Sequence, residues 1–296
     1  MGFEIAIGLA QSGADVVIAD RNESQGRWAV GRIRPLAPGS LIRFETLDLS
    51  SLSAVTDFVG RVVRLERPVD LLVNNAGVMG LPQRQVSADG FEMQLATNYL
   101  GHFALTAKLL PLLRPGFDPR VVQVGSLSHR MGTIHWNDLQ MERRYAPMRA
   151  YNQSKLAQLM FAFELQRRSD SGRWGVLSVA AHPGYARTKL FAQGPGRRSV
   201  MHRLHQGLGV FLSHSAASGA VPVLFAATSP KAMPGGYYGP QGVFGLAGPP
   251  GAAGISERAL DYEAARRLWD VSIELTGAEW PVEQVTHKAA GLTGTN

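Results

Sequence analysis

Cysteine is missing altogether from the 296 residues. Its absence excludes a disulfide scaffold, thiolate zinc sites and thiol nucleophiles, and no metal site is expected. Charge is scarce, at 18% of residues, and no run of five like charges occurs. The net charge of +7 is scattered over distant pairs: Arg143/Arg144, Arg167/Arg168, Arg197/Arg198 and Arg266/Arg267. A nucleic-acid binder needs a clustered basic stripe, so no nucleic-acid partner is expected. No apolar stretch approaches the roughly 18 residues of a membrane span, and Glu4 breaks the N-terminal apolar pattern that a signal peptide would need. Position 6 is Ala6, where a myristoylation motif wants Ser or Thr. A cytoplasmic location is the expectation these absences leave.

What is present is the composition of a globular chain, with 45% hydrophobic residues, 33 glycines and 17 prolines. The length suffices for one full core without staples. Phe3, Ile5, Ala6, Leu9 and Ala10 fall at helical spacing. Val16 to Ala19 reads as a short buried strand ending at Asp20, Leu41 to Leu47 as a second, and Leu71 to Val73 as a third. Helices are expected around Trp28–Ile33 and after a cap at Ser50 or Ser51. A long helical pattern runs from about Phe91 to Leu113, and a strand follows at Val121–Val124. A helix from about Arg149 to Arg168 and a strand at Val176–Ala181 come next. Beyond Pro183 the Gly/Pro/Ser-rich segments 192–199 and 229–258 read as loops, with helices near 200–212, 214–227 and 261–271. Strands alternating with amphipathic helices predict α/β architecture: a doubly wound parallel sheet with helices on both faces. One domain over 1–296 is expected, with an irregular lobe at about 185–296.

The most informative run is Tyr151-Asn152-Gln153-Ser154-Lys155. Spacing of four puts Tyr151 and Lys155 on one helical face. A phenol titrates near pH 10, and a neighbouring ammonium lowers that value, as general acid–base catalysis requires. Three successive strands also end in small polar residues, at Asn75-Ala76-Gly77, Gly125-Ser126 and His182-Pro183-Gly184. In an open parallel sheet, ligands bind at the carboxyl ends of strands.

These residues resemble the short-chain dehydrogenase/reductase family, from Gly2 to about Gly277. The resemblance implies a Rossmann-like sheet, a nicotinamide cofactor and the catalytic set Asn98, Ser126, Tyr151 and Lys155. Asn98 matches the asparagine whose backbone carbonyl helps hold a relay water, and Ser126 the serine that polarises the substrate oxygen. Tyr151 matches the proton donor or acceptor, and Lys155 the lysine that holds the nicotinamide ribose and lowers the tyrosine pKa. Ser128 lies two residues off the matching serine position. Implied cofactor contacts are Gly2, Asp48-Leu49 beside adenine, Asn75, Ala76, Gly77, Tyr151, Lys155, and Pro183, Gly184 and Thr188 around the carboxamide.

The loop His135-Trp136-Asn137-Asp138-Leu139, the run Ser154-Lys155-Leu156-Ala157 and Gly236-Tyr237-Tyr238-Gly239-Pro240 look like the retinol-dehydrogenase-like branch. So does Leu268-Trp269-Asp270 through Leu275-Thr276-Gly277. Its members act on apolar alcohols or carbonyls, so a small apolar substrate is expected, with Leu190 to Phe211 as a lid. Assembly as a homodimer or homotetramer, through the helices around 91–113 and 149–168, is implied as well. An acidic residue after the second strand of this fold binds the ribose 2′-hydroxyl of NAD, whereas arginine accommodates the 2′-phosphate of NADP. Asp20 followed by Arg21 favours NAD, with NADP as the alternative.

The family's opening strand and Gly-rich phosphate turn have only Gly2 as a match here. The absent strand would be central, so the strands at 16–19 and 71–73 are expected to lack the neighbour between them. The expectation is that the natural start lies upstream or the chain was shortened. The alternative is a family member without catalysis, acting as a scaffold.

Overall fold

The computed structural model describes residues 1–184 and 215–281. Helix α1 (Gly2–Gln11) leads into strand β1 (Val16–Asp20), helix α2 (Glu23–Ile33) and strand β2 (Ile42–Thr46). Helix α3 (Leu52–Val63) begins at Ser51, whose hydroxyl accepts from the Ala54 N–H at 3.3 Å. Strand β3 (Leu71–Asn74) follows, and helix α4 (Gly101–Leu113) is reached through the turn Met93–Leu95 and a π-helical stretch, Ala96–Leu100. Strand β4 (Arg120–Val124), helix α5 (Pro147–Gly172) and strand β5 (Leu177–Ala181) complete the core pattern. Helix α6 (Ala216–Thr228), strands β6 (Tyr237–Pro240) and β7 (Pro250–Ala252) and helix α7 (Tyr262–Thr276) close the described chain.

The strands form two groups. β1 and β2 pair in parallel, and a second sheet runs β3-β4-β5-β6-β7, parallel until the antiparallel edge strand β7. No hydrogen-bonded pairing joins β1 to β3. Helix α1 bridges the two groups instead. Ile5 packs with Val122, Val124 and Val179 of the larger sheet, while Ala6 and Ala10 pack with Val30 and Ile33 of α2.

Helices cover both faces of the larger sheet. One face carries α1 and α6. The other carries α3, α4 and α5, knit by an aromatic cluster of Tyr99, Phe103, Phe161, Trp269 and Trp280. A helix apolar all round must be enclosed, and α4 leaves only Lys108 and Pro111 exposed. Phe103 of α4 and Phe161 of α5 are covered within the chain by Trp269 of α7 and by Trp280.

Two readings of the sequence need correction. Segment 229–258, expected as loop, contains β6 and β7. Glycine and proline mask the strand signal there, yet Tyr237 and Tyr238 are buried and pair with Ala180 and Ala181 of β5. The pattern from Phe91 to Leu113 is not one regular helix but changes pitch at Ala96–Leu100, a departure seen often at functional sites. Thr188, the lid at 190–211, the segment 192–199 and the helix near 200–212 lie outside the described residues.

Candidate active site

The parallel strands end together, so the residues after them gather at one edge. Asp20 closes β1, and its carboxylate accepts from the Asn22 N–H at 2.8 Å while remaining exposed. Arg21 beside it is also exposed. Asp48, after β2, binds the backbone N–H and hydroxyl of Ser50 at 2.9 and 2.7 Å. That shapes the turn presenting Leu49, which lies against Gly101. A β-carbon at Gly101 would strike the Leu49 carbonyl oxygen, so only glycine lets α4 approach this loop. Past β3, Asn75 sits beside Gly2: a β-carbon on Gly2 would lie 2.7 Å from Asn75 Nδ2. Gly184, beyond β5, has φ +68°, and its N–H donates to His182 Nδ1 at 3.1 Å.

The four catalytic candidates converge on the same edge. Asn98 lies in the π-helical stretch, which Glu92 starts by accepting from the Gln94 and Leu95 N–H groups at 3.0 and 2.8 Å. The Asn98 amide is fully engaged: Nδ2 donates to the Val78 carbonyl at 2.9 Å and to Ser154 Oγ at 2.8 Å, and Oδ1 accepts from the Val78 N–H at 2.7 Å. Its backbone carbonyl accepts from His102 Nδ1 at 3.0 Å. Gly77 lies against both Asn98 and Lys155. A β-carbon there would be 3.1 Å from Asn98 Oδ1 and 3.7 Å from Lys155 Nζ.

Ser126 begins a short 3-10 turn after β4, and its Oγ accepts from the Ser128 N–H at 3.2 Å. Ser128 thus supports the serine through its backbone. Tyr151 lies on α5 and is buried, with Ser126 as its hydroxyl neighbour. The site therefore pairs a phenol with a hydroxyl at a strand end, backed by a lysine one helical turn further on.

Asn75 Oδ1 is buried without a protein partner, at the strand end between Gly2 and Gly77. A buried acceptor left unpaired is costly, and a ligand rich in hydroxyl donors, such as a nucleotide's ribose, would satisfy it. Asp20, Asp48, Asn75 to Gly77 and Gly184 follow the ends of the parallel strands, so the polar groups present there fit the hydroxyl-bearing parts of a nucleotide.

Comparison with known proteins agrees with this geometry. Residues 1–195 match the family model described as short chain dehydrogenase. The chain belongs to the short-chain dehydrogenase family. Within it, the chain falls in the branch of the retinol dehydrogenases. It is 39% identical to polyprenol dehydrogenase of Mus musculus over 284 residues, spanning 94% of this chain and 81% of that protein. It is 36% identical to retinol dehydrogenase 12 of Homo sapiens over 282 residues, 95% of this chain and 84% of that protein. Among solved structures, an uncharacterised protein from Mycobacterium paratuberculosis is 36% identical, with TM-score 0.77 over 95% of this chain and 92% of that one.

Set against the family pattern, the lysine departs from expectation. The resemblance implies that Lys155 lowers the Tyr151 pKa. Here burial dominates and pushes the phenol up from its ordinary value, with Ser126 opposing the rise. The Lys155 ammonium lies 6.0 Å from the Tyr151 ring centroid and points into the core. It donates to the Val124 carbonyl at 3.0 Å and to Gln158 Oε1 at 2.8 Å. Burial pushes its own pKa down to about 7.

That shift predicts a pH dependence of stability. Below about pH 7 both folded and unfolded chains carry the proton, and the folded state bears the full cost of a buried charge. Between about 7 and the ordinary value of 10.5 only the unfolded chain is protonated, so stability rises with pH. Urea denaturation across this window is expected to show the rise, and Lys155→Met to remove it.

Sequence reasoning missed the side chains that brace this site. His102, Gln158, His129 and Tyr237 are all buried. Gln158 follows Lys155 at i+3, a spacing that could have marked it. His129 and Tyr237 come from segments far apart in sequence, and no spacing rule connects them.

Proposed function

We propose that this chain transfers a hydride between NAD and an apolar alcohol or carbonyl compound, with Tyr151 as the acid/base. The observation that carries the reading is the Tyr151–Ser126 pair at the end of β4, with Lys155 and Asn98 meeting at Gly77 beside it. The bound nicotinamide supplies the hydride in reduction or accepts it in oxidation. Ser126 Oγ–H donates to the substrate oxygen and orients it. The Tyr151 phenol gives its proton to that oxygen as the carbonyl becomes an alcohol, or takes it in the reverse direction. Burial keeps the phenol protonated at neutral pH, which suits proton donation and hence reduction. Asn98 and Lys155 hold the path along which the proton is replaced.

Likeness to a polyprenol dehydrogenase and to retinol dehydrogenases supports the apolar substrate class. No helix among the described residues is long and apolar enough to cross a membrane. For the nucleotide, the Asp20 carboxylate at the end of β1 would bind a ribose 2′-hydroxyl and repel a 2′-phosphate. Steady-state kinetics should favour NADH over NADPH, and a large preference for NADPH would overturn that assignment.

A second reading is a non-catalytic scaffold. The bond from Lys155 to Gln158 favours it, because it turns the ammonium toward the core. Calorimetry with NADH separates the two: binding supports the enzyme, and its absence the scaffold.

A further inference from the structure

Behind Ser126 and Tyr151 lies a buried stack that the proposed chemistry leaves unused. The His129 ring stands edge-on to Tyr237, with ring centroids 5.4 Å apart and planes at 89°. The His182 ring lies 5.3 Å from that of Tyr237 as well. All three side chains are buried. They come from the 3-10 turn after β4, from β6 and from the end of β5.

Backbone partners fix the His129 tautomer. Its Nδ1 lies 2.7 Å from the Ser126 carbonyl oxygen, which can only accept, so Nδ1 carries the proton. Its Nε2 faces the Ser256 N–H at 3.4 Å, which can only donate, so Nε2 is bare. The Tyr237 hydroxyl, 3.5 Å from Nδ1, lies beside the same contact. The His129 backbone N–H donates to the same carbonyl at 3.1 Å, so the imidazole adds a second, shorter bond and ties the peptide unit that starts at Ser126 to the loop between β7 and α7.

We propose that His129 is a positioning residue: its Nδ1–H holds the Ser126 carbonyl and thereby aims Ser126 Oγ at the substrate oxygen. The Ser126 backbone is extended, at φ −155° and ψ 152°. A rotation there would swing Oγ away from Tyr151. The bond to Ser256 and the packing on Tyr237 keep the imidazole plane in place. His129 acts through Ser126, whose carbonyl it holds. The inference rests on the hydride-transfer reading for its kinetic consequence, but its geometry does not.

Two substitutions separate the donor from the ring. In His129→Asn the amide nitrogen stands where Nδ1 was and can still donate to the Ser126 carbonyl; in His129→Gln the amide lies further out, where Nε2 was. Misplacement of a reacting group by about 1 Å costs on the order of 100-fold. His129→Gln is therefore expected to lower kcat by ~10–100-fold with NADH affinity by calorimetry unchanged, while His129→Asn recovers most of the loss. Unchanged kcat in His129→Gln, or an equal loss in both variants, would overturn the proposal.

A measurement independent of turnover guards against variants that fail to fold. Long-range proton–nitrogen NMR of the unsubstituted protein should show His129 as the neutral Nδ1–H tautomer. The Nε2–H tautomer would overturn the proposal even if the enzyme is active. An unsubstituted chain without turnover would count against the proposed function and leave the tautomer test standing.

Discussion

Tyr151→Phe is expected to cut turnover by ~10²–10⁴-fold, the range general acid–base groups supply. The substitution removes one oxygen from a buried ring and leaves the helix unchanged. Nucleotide affinity should hardly move, because Lys155, Asn75 and Gly77 remain. The pattern sought is low kcat with an intact calorimetric signal for NADH. Full turnover in Tyr151→Phe would remove the phenol from the proton path. Loss of binding together with turnover would mean that the phenol serves the nucleotide rather than the substrate.

Phe103→Ala should produce the largest loss of stability, about 3–5 kcal/mol, as expected for a large buried aromatic. Phe103 is fully buried and meets Phe161, Trp269 and Trp280 at centroid distances of 5.3, 5.0 and 5.2 Å. Its removal opens a cavity between α4, α5 and α7, three helices that cannot collapse together without moving the sheet. Urea denaturation checks this, and a loss below about 1 kcal/mol would mean that the cluster repacks. Because α5 carries Tyr151 and Lys155, the same variant should lower activity before it unfolds.

Legibility in the sequence followed the range of the forces involved. Strands β1, β3 and β4 are short apolar runs whose signal is local, and they lie where periodicity puts them. Ser51 caps α3 because its hydroxyl sits three residues before the amide it serves. Spacing brought Tyr151 and Lys155 to one helix, and strand ends brought Asn75 and Ser126 to one edge. Long-range packing was not legible. Tyr237 lies in a stretch whose glycines and prolines mimic a loop, and only pairing with β5 makes it a strand. The direction of Lys155 was equally hidden, since Val124 and Gln158 claim its ammonium across the fold. Burial likewise overrode the expected effect of that ammonium on Tyr151. The absence of pairing between β1 and β3 was anticipated, because each strand's usual neighbour had no counterpart in the run of elements.

The central claim is that this edge carries nicotinamide-dependent hydride transfer. The most direct test gives the chain NADH carrying deuterium at both positions of the reactive ring carbon, together with a long-chain apolar aldehyde, and weighs the product by mass spectrometry. The expected product is an alcohol that has gained one deuterium on its carbinol carbon, in step with NADH consumed. An alcohol without the label, or NADH left unconsumed with every apolar aldehyde and ketone offered, would contradict it.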